Sequence, residues 1–466
     1  MVKVRMLKDT TTFKKGDVTN VSEEHAKEME EKELCKRVIK EVEVIPFQFG
    51  KLEVAKNFRR RFPFFYDTSK LWWFWNYETN AWKIVDEIDI LNQINQSMNY
   101  DTINNKERVE ILQALKQVGR MKTPEKIEKT WIQFKDEIYD INTGKRFEAT
   151  PKYFVTNPIP YSLHKENFME TPNMDRIFEE WVGKDYVKTL YEIIAYCLLP
   201  DYPIHRIFCF MGAGLNGKSK FLELLRKFIG ISNTCTTEMD TLISSRFEIT
   251  KLHKKLICQM GETDFTEIKK TATLKKLSGG DLIGFEYKNK NPFEDLNYAK
   301  ILISTNNLPA TTDKTIGFYR RWLIIDFPNQ FSEKKDILEE IPEEEYHALA
   351  TKCCFILKDI LDKREFTNEG CIEERIKKYE ERSNPFDKFW NEMIIEDFNS
   401  NITISQFRKA LNEWCRENKF REMSDRNIRK FMKERGIEPG KFYMDWYENE
   451  QSIKKQVRGW IGIKFK

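Results

Sequence analysis

Gly212-Ala213-Gly214-Leu215-Asn216-Gly217-Lys218-Ser219 sets glycines, a lysine and a hydroxyl at fixed offsets, after an apolar run at 207–210 and before a helical pattern at 220–228. Gly212, Gly214 and Gly217, with Asn216 between them, let backbone N–H groups approach a phosphate closely. The Lys218 ammonium reaches further along a phosphate chain, and the Ser219 hydroxyl can ligate Mg2+. This is P-loop spacing, and ATP with Mg2+ is the ligand it suits. Splitting that ligand needs a carboxylate at the end of a neighbouring strand. The run 256–260 leads into Gly261-Glu262-Thr263-Asp264. Glu262 is the first choice for the catalytic and metal-binding acid, and Asp264 is either a second acid or a helix cap. The buried-type strand 300–304 ends in Thr305-Asn306, where the Asn306 amide could orient a water or sense the terminal phosphate; Asn-Asn-Leu-Pro is also a turn sequence. Tandem Arg320-Arg321 before the run 322–327 suits an arginine finger, with a surface ion pair as the plainer alternative. A finger acting on a neighbour's nucleotide requires an oligomer. Lys288 and Lys290 flank Asn289 at or near a hairpin tip, where they could grip a DNA backbone or simply be solvated.

These groups need a scaffold that brings distant segments to one edge. Strand-like runs alternate with helical patterns from 186 onward, which indicates a mainly parallel α/β sheet. The chain divides into a small α+β module (1–44), an α+β domain (45–182), a P-loop core (183–375) and a basic C-terminal module (376–466). Residues 2–7 alternate like a strand, Lys15-Gly16-Asp17 is a turn, and Ser22 caps a charged helix. In the second region, 71–84 reads as an aromatic hairpin, 86–98 as a helix and 131–144 as another hairpin. Aromatics so dense could stack on bases but more often fill a core. Arg59-Arg60-Arg61 is either a phosphate contact or a solvated face. At the C-terminus, 402–418 contains a helix, Ser424 caps another, Gly436 ends it, and Gly440 begins a wing closed by 458–463. Two helices and a hairpin make a winged helix-turn-helix, and Arg426, Arg429, Lys430 and Lys433 share one helical face that could enter a DNA groove. Such modules also dock proteins.

Composition bounds the reading without deciding it. The 466 residues carry 40% hydrophobic and 33% charged side chains, with mean hydropathy −0.62, and no apolar run is long enough to span a bilayer. Charges from Lys3 onward interrupt any secretion signal. Nine scattered cysteines without a CxxC pair fit reduced thiols in a cytoplasmic compartment. The net charge is only +4, but residues 401–466 hold 16 basic against 9 acidic side chains, while 1–50 balance at 10 each. That local excess hints at phosphate contacts.

Together, the Gly-Leu-Asn-Gly-Lys-Ser loop, Leu-Ser-Gly-Gly-Asp at 277–281, Ser-Thr-Asn-Asn-Leu-Pro at 304–309 and Tyr-Arg-Arg-Trp at 319–322 resemble superfamily 3 helicases of the poxvirus and phage/plasmid primase-helicase branch. The resemblance is strong over 185–330 and weaker upstream, at 132–144 and 157–161. It implies an AAA+-like P-loop ATPase core, assembly as a ring-shaped homo-hexamer with ATP between subunits, and 3′ to 5′ translocation on one DNA strand. It makes Lys218 and Ser219 the phosphate and Mg2+ ligands, Glu262 the acid, Asn306 the sensor, Arg320 or Arg321 the finger, and Lys288 and Lys290 DNA contacts. Two departures stand out. The acidic motif is Glu-Thr-Asp rather than adjacent acids, and the region upstream shows no pair of strand-borne carboxylates like that of a primase domain. The expectation is a replicative DNA helicase of a virus, plasmid or other mobile element, acting in the host cytoplasm on single-stranded and forked DNA, with a separate primase as a partner. A replication initiator or loader that does not unwind, and a nucleotide-regulated DNA-binding protein, are the alternatives. A small-molecule kinase would have no use for the lysine hairpin or the basic C-terminal module.

Overall fold

The computed structural model describes residues 50–98, 104–135, 137–164, 168–212, 214–261, 267–268, 270–332, 336–418, 422–448 and 451–466, with short pieces before residue 50 (2–6, 18–21, 29, 32 and 35–37). The expected turn at Lys15-Gly16-Asp17 and the Ser22 cap lie outside the described residues, as do Ala213, Glu262 and Asp264. Two compact units are present: Met1–Trp75 with Trp82–Pro124, and Asn76–Ala81 with Glu125–Lys466.

In the first unit, strand Val2–Met6 pairs antiparallel with Val18–Val21 and with Cys35–Arg37. A second sheet (Phe64–Tyr66, Trp72–Asn76, Ala81–Val85) goes with helices Lys51–Arg61, Glu87–Met98 and Asn105–Arg120. Its aromatics are core: Trp72, Trp73, Trp75 and Trp82 are all buried, and Phe65 stacks on Trp73 at 5.8 Å. Arg59 is engaged within the unit. Its guanidinium donates to the Val118 carbonyl at 2.7 Å and to the Lys122 carbonyl, satisfying chain ends that the helix Asn105–Arg120 leaves open.

In the second unit, helices α1 (Pro172–Val182) and α2 (Lys184–Cys197) precede a five-stranded parallel sheet. Its strands are β1 (Ile207–Met211), β2 (Thr234–Thr236), β3 (Ile257–Met260), β4 (Lys300–Thr305) and β5 (Trp322–Asp326), in the order β2-β3-β4-β1-β5. Helix α3 (Lys218–Ile229) follows β1, and α4 (Glu343–Lys363) follows the sheet. Strand side chains alternate in direction, and both directions are covered here. Phe208, Phe210, Leu302, Leu323 and Ile325 join α1 to α4 in one core, while Ile207, Cys209, Met211, Ile301, Ile303, Trp322 and Ile324 belong to the other. Each such fully buried side chain contributes roughly 2 kcal/mol. Glu345 of α4 is itself buried because it caps α1, accepting from Asn173 N and Met174 N at 3.0 Å each.

The chain then forms α5 (Ile372–Ser383), α6 (Pro385–Met393), β6 (Ile394–Thr403), α7 (Ile404–Glu417), α8 (Asp425–Glu434), β7 (Pro439–Glu448) and β8 (Gln451–Phe465). β6, β8 and β7 make an antiparallel sheet in that order. Thr403 starts α7 with a capping box to Gln406, and Ser424 caps α8. Phe386, Phe407, Leu411, Trp414, Met432 and Trp460 form this module's own core. The described cysteines are unbridged, and no described helix is long and apolar enough to cross a membrane.

One buried lysine pins the start of β4. Lys300, at the start of β4, donates to the Leu199 carbonyl and to Asp201 O at 2.7 Å, beneath the ring of Tyr196 at 5.0 Å. Burial pushes its pKa down to about 7 from 10.5. Across that interval the unfolded chain holds more protons than the folded one, so this residue makes stability rise with pH from 7 towards 10.5. Urea unfolding over that range should show the wild-type midpoint climbing relative to Lys300→Met; parallel pH profiles would exclude the linkage.

Candidate nucleotide-binding site

The loop between β1 and α3 is held open by backbone conformations that side chains disfavour. Gly214 and Gly217 sit at φ +106° and +90°, and Leu215 between them at +50°. A Cβ on Gly217 would collide with the Trp181 indole of α1, and one on Gly212 with the Asn216 amide and the Phe327 carbonyl. The loop is therefore tightly packed at Gly212 and Gly217, and Asn216 Nδ2 ties it to Phe327 O at 3.2 Å. Phe331 N donates to Leu215 O at 2.7 Å on the outer side.

Lys218 is buried, with 4% of its surface exposed, and its ammonium donates to three oxygens: Gly212 O, Asn216 Oδ1 at 3.0 Å and Asn306 Oδ1 at 3.2 Å. Two segments 88 residues apart thus meet at one nitrogen, because β4 lies beside β1 and both end at the same sheet edge. Ser219, exposed at the first turn of α3, lines a cavity of about 1350 Å³. Gln259, Met260 and Gly261 line it too, so β3 leads to this cavity immediately before Glu262. Sequence reasoning missed Trp181, Gln259, Ser304 and Phe331 in the same lining. Trp181 and Phe331 carry no local pattern, while Gln259 and Ser304 stand in runs read for their neighbours, and only the fold brings all four to the cavity.

The tandem arginines part company. Arg321 is buried, donating through Nε to Ser278 Oγ at 3.1 Å, through Nη2 to Lys275 O at 3.3 Å, and through Nη1 to Gly317 O. Burial, and next the Arg320 charge, lower its pKa. Its donors hold the turn at 275–279 against helix Ile316–Tyr319, so it is not free to reach another phosphate. Arg320 is exposed. Ile207 pairs with Trp322 and Met211 with Asp326, so Arg320 and the P-loop lie at opposite ends of paired strands, about 16 Å apart at 3.3 Å per residue.

Lys288 and Asn289 form the turn between strands Leu282–Phe285 and Phe293–Leu296, with Asn289 at φ +62°; Lys288 is exposed and Lys290 half-buried. The buried His253 ring packs between Phe285 and Phe293 at 5.1 and 5.0 Å and stiffens the hairpin beneath its tip. On α8, Arg426, Arg429, Lys430 and Lys433 are exposed, while Ile428 and Met432 are buried on the opposite face.

Known proteins resemble parts of this chain. Residues 210–321 match a family described only as a family of unknown function (DUF5906). The chain is 21% identical over 327 residues to the "Putative helicase L207/L206" of Acanthamoeba polyphaga mimivirus, a match covering 62% of this chain but only 33% of that longer protein. It is 30% identical over 148 residues to the "Uncharacterized mitochondrial protein ymf21" of Marchantia polymorpha, covering 28% of this chain and 81% of that one. The chain belongs to one family with the Marchantia protein. Two apo structures of the NrS-1 C-terminal region align at 14% and 12% identity, with TM-scores of 0.46 and 0.45, over 88% and 89% of this chain and 99% and 100% of theirs.

The two arginines should separate on substitution. Arg321→Ala strands the Ser278, Lys275 and Gly317 contacts and should lower stability by about 2 kcal/mol, whereas Arg320→Ala should leave it within about 0.5 kcal/mol. Denaturant titration of both variants decides it, and equal stabilities would reverse the assignment.

Proposed function

We propose that this chain is the motor part of an ATP-dependent DNA helicase of a virus, plasmid or other mobile element. The observation that carries the reading is the meeting of Lys218 with Asn306 inside a glycine-cradled loop at the carboxyl edge of a parallel sheet, the edge where such sheets bind ligands. The donor set fits ATP with Mg2+: amides at the start of α3, a buried ammonium, and an exposed Ser219 hydroxyl beside the cavity. When bound, ATP and its metal supply the phosphoanhydride bond whose hydrolysis powers movement. Lys218 then exchanges neutral oxygens for phosphate oxygens, a stronger charge-assisted bond, which releases the Asn306 amide to orient a water. Glu262 is the acid that polarises that water, with Asp264 as its neighbour.

The strand order, with β4 between the P-loop strand and the acidic strand, supports an AAA+-like core. The distance between Arg320 and its own P-loop supports a finger that acts on the next subunit's nucleotide, hence a ring, by resemblance a hexamer. The helix-strand-helix-helix-hairpin order of 385–465 supports a winged helix-turn-helix whose α8 presents Arg426, Arg429, Lys430 and Lys433 to DNA. The Lys288 and Lys290 hairpin is the second grip, on single-stranded DNA. The similarity to the mimivirus "Putative helicase L207/L206" supports the helicase class. Translocation from 3′ to 5′, and a separate primase partner, follow from the superfamily 3 resemblance.

The deciding assay is fork unwinding by purified protein with ATP and Mg2+. Lys218→Ala should abolish both hydrolysis and unwinding, while Lys288→Ala/Lys290→Ala should keep hydrolysis and lose unwinding. Hydrolysis stimulated by DNA without strand separation would make the protein an initiator or loader, and no hydrolysis at all would overturn the motor reading. Mixing Arg320→Ala with wild type should depress hydrolysis more than dilution alone, because each defective subunit disables its neighbour's site.

A further inference from the structure

The residue after Asn306 faces the other way. Asn307 Oδ1 accepts from Lys388 Nζ of α6, and its Nδ2 donates to Asn418 O at the end of α7, at 3.4 Å. The turn itself is closed by Thr305, whose hydroxyl donates to Asn307 O at 2.7 Å. Next along, Leu308 N donates to Arg382 O at 3.4 Å, and Tyr379 OH donates to Pro309 O at 2.8 Å. One short turn therefore holds the P-loop lysine on one side and the basic C-terminal module on the other. Lys388 is inside this contact, where burial, and next the Arg382 charge, lower its pKa. An ammonium is placed there at a desolvation cost, and Asn307 receives it. Beyond the contact a cavity of about 940 Å³ opens between α8 and the chain at 310–314.

We propose that Lys388 and Asn307 are positioning residues through which the C-terminal module sets the geometry of Asn306, so that DNA held by that module changes the rate of ATP hydrolysis. The inference rests on the motor reading above. Rotation of α6 and α7 on DNA contact pulls Asn307 through Lys388 and Asn418, and the clamped Thr305 turn passes that movement to Asn306. Nucleotide affinity depends on the loop at 212–219 and changes little; turnover depends on where Asn306 points.

The test measures steady-state ATP hydrolysis by the full chain with and without single-stranded oligothymidine, for wild type, Lys388→Met, Asn307→Ala, the double variant and Lys388→Arg. Lys388→Met and Asn307→Ala should each lower kcat in the presence of DNA about tenfold, leave KM for ATP within about twofold, and abolish DNA stimulation. The double variant should be no worse than Asn307→Ala alone, since that substitution already removes the link to Lys388. Lys388→Arg, which keeps a donor for Asn307 Oδ1, should restore part of the stimulation. Thermal melting of each variant identifies a folding defect, and the Arg variant remains decisive if the Met variant unfolds. Stimulation retained in well-folded Lys388→Met, or additive losses in the double variant, overturns the proposal while leaving the motor reading intact. Wild type that does not hydrolyse ATP overturns both.

Discussion

A lysine ammonium buried to 4% exposure must be surrounded by oxygens, or the cost of removing it from water would unfold its surroundings. At Lys218 those oxygens come from Gly212, Asn216 and Asn306, and much of the second unit can be understood as what makes them converge. Gly212 must lack a Cβ for Asn216 to fold back, and Gly217 must lack one for α1 to close over the loop with Trp181. Asn306 must arrive from a strand lying directly beside β1, which only a crossover connection through 234–299 allows in a parallel sheet. A chemically simple demand at one nitrogen therefore constrains loop conformation, helix packing and strand order at once.

Packing then holds that convergence rigid. Phe208 and Phe210 point to one side of β1, and Cys209 and Met211 to the other, each into a filled core. A shift of one residue between β1 and β4 would turn each strand's side chains to the wrong core and carry Asn306 away from Lys218, so the register that preserves the hydrophobic layers is the one that preserves the site. Lys300 anchors the other end of β4 to the carbonyls after α2. The strand that carries the polar contact is thus fixed at both ends by lysine nitrogens, one its own and one from the P-loop.

What the sequence disclosed follows from how local each signal is. The strands at 207–211, 257–260, 300–305 and 322–326 are unbroken apolar runs between polar boundaries, and each appears close to its expected place. β2 escaped notice because Thr234-Cys235-Thr236 is an edge strand, short and half-exposed, with no run to detect. The P-loop is legible because phosphate binding by backbone dictates glycine at set offsets. Arg320 and Arg321 are chemically identical in sequence, and only the fold shows that one is buried among carbonyls and the other exposed. Asn216, Lys218 and Asn306 could be named beforehand as separate candidates; their common meeting point could not. Lys388 and Asn307 are 81 residues apart with no periodicity linking them, so nothing short of tertiary structure reveals that pair.

A parallel sheet is polar, and that polarity sorts chemistry by edge. The P-loop, the approach to Glu262, and Asn306 all follow the carboxyl ends of their strands, while Arg320 precedes the amino end of β5. An arginine side chain spans about 7 Å, roughly half the length of the intervening strand, so no rotamer of Arg320 joins the two edges within one chain. The C-terminal module, by contrast, touches the carboxyl edge through Asn307. The edge that carries the glycine loop is accordingly the one that the basic C-terminal module touches through Asn307, while α5 reaches the opposite edge where Arg375 donates to the Arg320 carbonyl.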